Sequence, residues 1–129
     1  SLLLSLSDTF DFDDDDLDYI NDILNDGPWE VALYQVGNVD KIDEFLLYSI
    51  DFLDNGYIKV TDPNYGIIDG SWLAYRSDGL YLGMNYGIEA PFDELNHRWK
   101  IVEINELRIE LKDYSSTGAV ERTLVLERK

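Results

Sequence analysis

Carboxylates are the most abundant side chains in this sequence that could do chemistry, and the first 26 residues hold nine aspartates with no lysine or arginine. Asp11, Asp13, Asp14, Asp15, Asp16 and Asp18 offer the several hard oxygens that calcium prefers. They lack the alternating Asp/Asn, the central Gly and the terminal Glu of a calcium loop. Weak calcium binding by this Asp-rich arm therefore stands behind a plainer role, a solvated helix N-terminus whose dipole the carboxylates complement. Asp62-x-Asn64-x-Gly66 followed by Asp69 is a second calcium-like fragment without the bidentate Glu, and it reads as a turn. His97 is the only histidine, and there is no cysteine. Disulfides, thiolate metal sites and thiol catalysis are thereby excluded, and one imidazole cannot build a His-rich zinc site. Glu103/Glu106 and Asp93/Glu94 are carboxylate pairs of the kind used in acid/base work, but among 27 acids such pairs arise by chance. No resident metal or cofactor is expected, and the chain reads as non-enzymatic.

The aromatic residues are more informative: three Trp, nine Tyr and five Phe. Tyr34, Tyr48, Trp72, Tyr81, Tyr86 and Trp99 all fall in predicted strands. Rings with a polar tip suit an amphipathic ligand or a sugar-like face. They suit core and cross-strand packing as well, because aromatic residues favour sheets.

The elements that must position these residues follow from periodicity. Leu17, Ile20, Ile23 and Leu24 line one face of a helix over 14–25, with acids in its first turn. Gly27 and Pro28 stop it. About eight strand-like runs come next: 29–37, 44–53, 57–61, 68–76, 80–86, 97–104, 107–112 and 120–128. Leu46, Tyr48, Ile50 and Phe52 share a register in the second. Asp54-Asn55-Gly56 and Ser77-Asp78-Gly79 mark hairpins. Pro91 ahead of Phe92-Asp93-Glu94-Leu95 predicts a single helical turn. Consecutive hairpins without long helical crossovers predict an all-β, antiparallel up-and-down meander. Closing it into a barrel or flattened barrel hides its edges.

Composition bounds the partners. The 129 residues fit one domain, divided here into an acidic arm and helix (1–26) and a barrel domain (27–129). The net charge of -17 makes nucleic acid and anionic membrane surfaces poor partners. No apolar run is long enough to span a bilayer. Ser1 to Leu6 is apolar but too short for a signal-peptide core, so the chain is expected to begin downstream of any targeting segment.

Several segments also resemble a known family. Gly27-x-Trp29 at the first strand, after a short helix, is similar to the opening signature of lipocalins. Gly70-Ser71-Trp72, Phe92-Asp93-Glu94-Leu95-Asn96-His97-Arg98-Trp99 and Leu124-Val125-Leu126-Glu127-Arg128-Lys129 resemble, in order, segments of lipocalin-like domains in exported bacterial proteins. The resemblance covers roughly residues 27–129. It implies a lipocalin-like (calycin-type) barrel in which Trp29 plugs one end and a basic residue of the last strand, Arg122 or Arg128, packs over it. It implies export to the periplasm, to an outer-membrane lipoprotein or to the outside of the cell. The expected function is a non-catalytic module taking a small apolar or amphipathic molecule into a lumen lined by Leu33, Tyr48, Trp72, Met84 and Trp99. The alternative is a structural or protein-interaction module of the cell envelope, with a packed core, no ligand and other envelope proteins as partners.

Overall fold

A computed structural model describes residues 14–64 and 66–129. The helix α1 (Asp14–Asn25) comes first. Its apolar face is the one that the spacing predicts, with Ile20, Ile23 and Leu24 buried and Leu17 packed beside them. Nine strands follow: β1 (Trp29–Val36), β2 (Val39–Asp40), β3 (Ser49–Phe52), β4 (Tyr57–Thr61), β5 (Ile67–Arg76), β6 (Leu80–Asn85), β7 (Arg98–Ile104), β8 (Arg108–Tyr114) and β9 (Val120–Arg128). From β3 to β9 each strand is antiparallel to the next. β1 pairs with β9 along its length and with β3 through Trp29 and Ile50, which closes an eight-stranded barrel. β2 is an extra strand lying against the far end of β1.

Two departures from simple alternation decide what faces inward. A bulge between Val31 and Leu33 shifts the β1–β9 register. The inward side chains of β1 are therefore Trp29, Val31 and Tyr34, and Leu33 is left only half-buried outside the core. The run 44–53 is not one strand. Ile42–Phe45 forms a 3-10 turn that buries Phe45, and Leu47 turns the chain in the left-handed region at φ 70°. Leu46 and Leu47 stay exposed, and the strand begins only at Ser49.

One contiguous core runs from α1 through the barrel. At one end Ile20, Ile23 and Leu24 meet Trp29. At the other the two 3-10 turns, Ile42–Phe45 and Phe92–Leu95, insert Phe45, Phe92 and Leu95. Tyr34, Phe45, Phe92, Tyr48 and Tyr86 form a continuous set of ring contacts there, with centroids 4.9–5.2 Å apart. These are the edge-to-face and tilted arrangements that aromatic quadrupoles favour.

Candidate functional site

The three tryptophans use their polar tips on the main chain. Trp29 Nε1 donates to the Leu24 carbonyl at 3.2 Å, Trp72 Nε1 to Leu53 at 2.9 Å and Trp99 Nε1 to Leu95 at 3.1 Å. Each indole thus ties down a different connection: the end of α1, the β3–β4 hairpin and the turn before β7. Gly27 is needed for the first of these. A Cβ there would lie 2.8 Å from the Trp29 ring, so the glycine serves close approach rather than a left-handed helix cap.

Of the two basic residues expected over Trp29, Arg128 is the one in place. Its guanidinium sits 4.5 Å from the Trp29 ring centroid. Its nitrogens donate to the carbonyls of Glu106 at 2.6 Å, of Ile23 at 3.5 Å and of Asp26. Two of these carbonyls belong to the C-terminal end of α1, where the helix leaves acceptors unsatisfied and favours positive charge. Arg122 lies elsewhere, on the opposite barrel mouth, donating to Asp113 at 2.7 Å.

The five residues expected to line a lumen are divided: Trp72 and Met84 border a recess, whereas Tyr48, Trp99 and Leu33 do not. Trp99 has no accessible surface, Met84 has 5% and Trp72 9%. Trp72 and Met84 are direct cross-strand partners, and Phe52 meets Trp72 edge-on at 5.7 Å. Tyr48 belongs to the aromatic plug and Leu33 lies outside the core. A lumen wide enough for a ligand would leave accessible surface on the side chains lining it, yet Tyr34 and Phe92 have none.

Charged groups gather at the mouth above the plug. Lys41 Nζ lies 2.6 Å from Glu94 Oε1, and the Tyr34 hydroxyl reaches the same oxygen at 3.5 Å. His97 Nδ1 is 3.7 Å from Asp113 Oδ2, which also accepts from Arg122. Burial is the largest single influence and works against the Glu94 carboxylate, but the Lys41 hydrogen bond, the Lys41 charge and the hydrogen bonds with Glu44 and Tyr34 together outweigh it and hold the group below the usual carboxylate range. Burial raises the Tyr34 phenol, and the Glu94 charge raises it further. Asp62 accepts from the main-chain N–H groups of Asn64 and Gly66, both at 2.7 Å, so this second fragment folds as a side-chain-bridged turn. The Asp11–Asp13 part of the acidic arm lies outside the described residues. Among the described residues no cluster of three or more metal-ligating side chains occurs.

A concave feature lies along the outer wall. A recess of about 580 Å³ is bordered by Leu73, Tyr75, Gly83, Asn85, Asn96 and Arg98, and the core residues Trp72 and Met84 also line it. His97 and Asp113 reach it from the barrel mouth. Leu73 and Gly83 are cross-strand partners, as are Gly83 and Arg98, so the glycine occupies the middle of a three-strand row. Below it Tyr75 and Tyr81 stack at 5.6 Å with planes 16° apart, and the Arg98 guanidinium lies 5.1 Å over the other ring position, Tyr81. The Tyr81 hydroxyl donates to Asp78 at 2.7 Å, which depresses the Asp78 carboxylate and raises the phenol.

No protein-family model matches the chain, and neither does a curated protein or a solved structure. The recess itself was legible only in part. The sequence places Leu80, Leu82 and Met84 inward, which leaves Tyr81, Gly83 and Asn85 outward. A glycine inside a strand pattern is the available signal, since it marks a bulge or a close approach by something else.

Proposed function

We propose that this domain is a non-catalytic recognition module whose barrel is a packed scaffold and whose binding surface is the outer wall of β5, β6 and β7. The observation that carries this reading is the filled interior beside an open, mixed-polarity recess. Trp99 is consumed by the core, Trp72 and Met84 keep only a small accessible edge toward the recess, and the indole hydrogen bonds that could have oriented a ligand go to main-chain carbonyls. Of the two functions expected from the sequence, this favours the packed module over carriage of an apolar molecule. The recess volume falls within the roughly 300–1,000 Å³ of small-ligand sites.

A lipocalin-like relationship is part of the proposal, and Arg128 over Trp29, beside Gly27, supports it. Residence on an exported envelope protein rests on the segments around Gly70, Phe92 and Leu124 that resemble such domains.

The test is uptake of a neutral apolar fluorophore, chosen because a net charge of -17 would repel an anionic dye. The folded protein is expected to leave its emission unchanged. Trp72→Ala, which opens space beside Phe52 and Met84, is expected to take it up and so serves as the positive control. Stoichiometric uptake by the unaltered protein, with quenching of tryptophan emission, would overturn the packed-scaffold reading.

A further inference from the structure

Gly83 is a glycine that the fold does not require. Its φ is not positive, and a Cβ built on it would make only ordinary contacts, 3.7 Å to the Tyr75 ring and 3.8 Å to the Leu73 carbonyl. Gly70, one strand away, is the contrast: a Cβ there would lie 2.5 Å from the Asn85 carbonyl oxygen, so that glycine is sterically enforced. A glycine inside a strand is destabilising relative to alanine. At position 83 nothing within the barrel recovers that cost. What the absent side chain leaves open is the floor of the recess.

The walls around that floor have a definite chemistry. Tyr75 stands at one side, its ring braced by Tyr81, which is itself held between Tyr75 and Arg98 and anchored through Asp78. The aromatic wall is therefore rigid before anything binds. Leu73 is 64% exposed and continues the apolar strip. Hydrogen-bonding groups stand opposite: the Asn85, Asn96 and Arg98 side chains, with Asp113 at the mouth. Asn96 is fixed by two bonds of its own, accepting from the Tyr86 N–H and donating to the Gly87 carbonyl at 2.8 Å.

We propose that the recess over Gly83 binds a neutral oligosaccharide, a sugar ring packing its C–H face on Tyr75 while its hydroxyls engage Asn85, Arg98 and Asp113. This rests on the reading of the barrel as a scaffold with its binding surface outside, and it names the ligand class. Three observations separate a saccharide from other occupants. β5, β6 and β7 are central strands hydrogen-bonded on both sides, so a peptide cannot add to this wall as a further strand. The recess combines Arg98 with Asp113 in a chain of net charge -17, which disfavours a polyanion. An apolar molecule would lie in an open groove with part of its surface left wet. A polyol with one apolar face matches both the aromatic wall and the mixed donors and acceptors.

Isothermal titration with tetramers of β-1,4-linked glucose, β-1,4-linked N-acetylglucosamine and α-1,4-linked glucose tests the assignment, with a tetragalacturonate as the anionic comparison. At least one neutral tetramer is expected to bind. Gly83→Val is expected to weaken it at least tenfold while the melting temperature stays level or rises, since the valine suits the strand. Tyr75→Ala, on the exposed face, is expected to weaken it comparably and keeps the proposal testable should the valine variant misfold. No binding by any neutral tetramer, preferential binding of the anionic one, or affinity that survives both substitutions would overturn the saccharide assignment. Those results would leave the scaffold reading intact, because that one fails only on dye uptake into the barrel.

Discussion

At the scale of single residues, the three tryptophans fasten the fold. Trp29, Trp72 and Trp99 each close a connection through the indole N–H, and Arg128 spans Trp29 and the end of α1. Arg128→Ala should therefore destabilise the protein by about 1–3 kcal/mol in urea denaturation, because helix-end carbonyls lose their donor and the ring loses its cation. Arg128→Lys should recover only part of this, since an ammonium cannot serve several carbonyls with one planar fork. Arg122→Ala should leave the Trp29 environment unchanged, which near-ultraviolet circular dichroism would report. Tyr86 behaves differently. It is fully buried, and among the described residues its hydroxyl reaches only the Met84 sulfur at 3.4 Å, a weak acceptor. Burial holds the phenol well above its usual range, so it stays protonated wherever the protein is folded. Tyr86→Phe should change stability by less than about 1 kcal/mol, because almost no hydrogen-bond energy is lost. A large loss would reveal a polar partner for this hydroxyl.

At the scale of elements, periodicity carries far because one face of each strand is wet and the other is packed. The helix over 14–25 and the hairpins at Asn55-Gly56 and Asp78-Gly79 are legible for that reason. What escapes the pattern is local backbone irregularity. The β1 bulge exchanges Leu33 for Tyr34 in the core, and the left-handed Leu47 breaks the apolar run before β3. Neither leaves a signature in residue type, since Leu is an ordinary strand residue and not a turn former. The mouth network is invisible in the same way: Lys41 and Glu94 are 53 residues apart and meet only once two 3-10 turns fold over the barrel. Their pairing carries a pH dependence. The Glu94 pKa is lowered on folding, so its contribution is fully present above the unfolded value of about 4.3 and is lost as pH falls through the folded value. The stability difference between the unaltered protein and Glu94→Gln should be no more than about 1 kcal/mol near neutrality, since both partners are nearly a third exposed, and should vanish in acid. Chemical denaturation at pH 3 and pH 7 measures it. A difference that persists at pH 3 would mean that the Glu94 side chain acts through packing and not through its charge.

At the scale of the whole molecule, two large terms oppose each other. The core that runs from Ile20 through the barrel to the Phe45–Phe92 plug favours the compact state. The charge of -17 disfavours it, because folding brings acids together that an unfolded chain keeps apart. The charge balance was plain from composition, whereas the filling of the barrel was not, because inward residues of a hollow and a packed barrel alternate identically. Basic residues are scarce, and those at the mouth and along β8 already sit in pairs such as Arg122–Asp113 and Arg108–Glu103, so repulsion among the unpaired acids dominates the long-range field. Raising the ionic strength from about 0.01 M to about 0.15 M shortens the screening length from about 30 Å to about 8 Å. That screens repulsion between distant acids while leaving contact pairs of 2.7–2.9 Å largely intact. The melting temperature should therefore rise over this range in sodium chloride. Potassium chloride should give the same rise, because the effect is general screening and not occupancy of a cation site. A fall with added salt would mean that the contact pairs, and not the excess of acids, govern the electrostatics of this fold. A rise confined to calcium would instead place a specific divalent site among the aspartates.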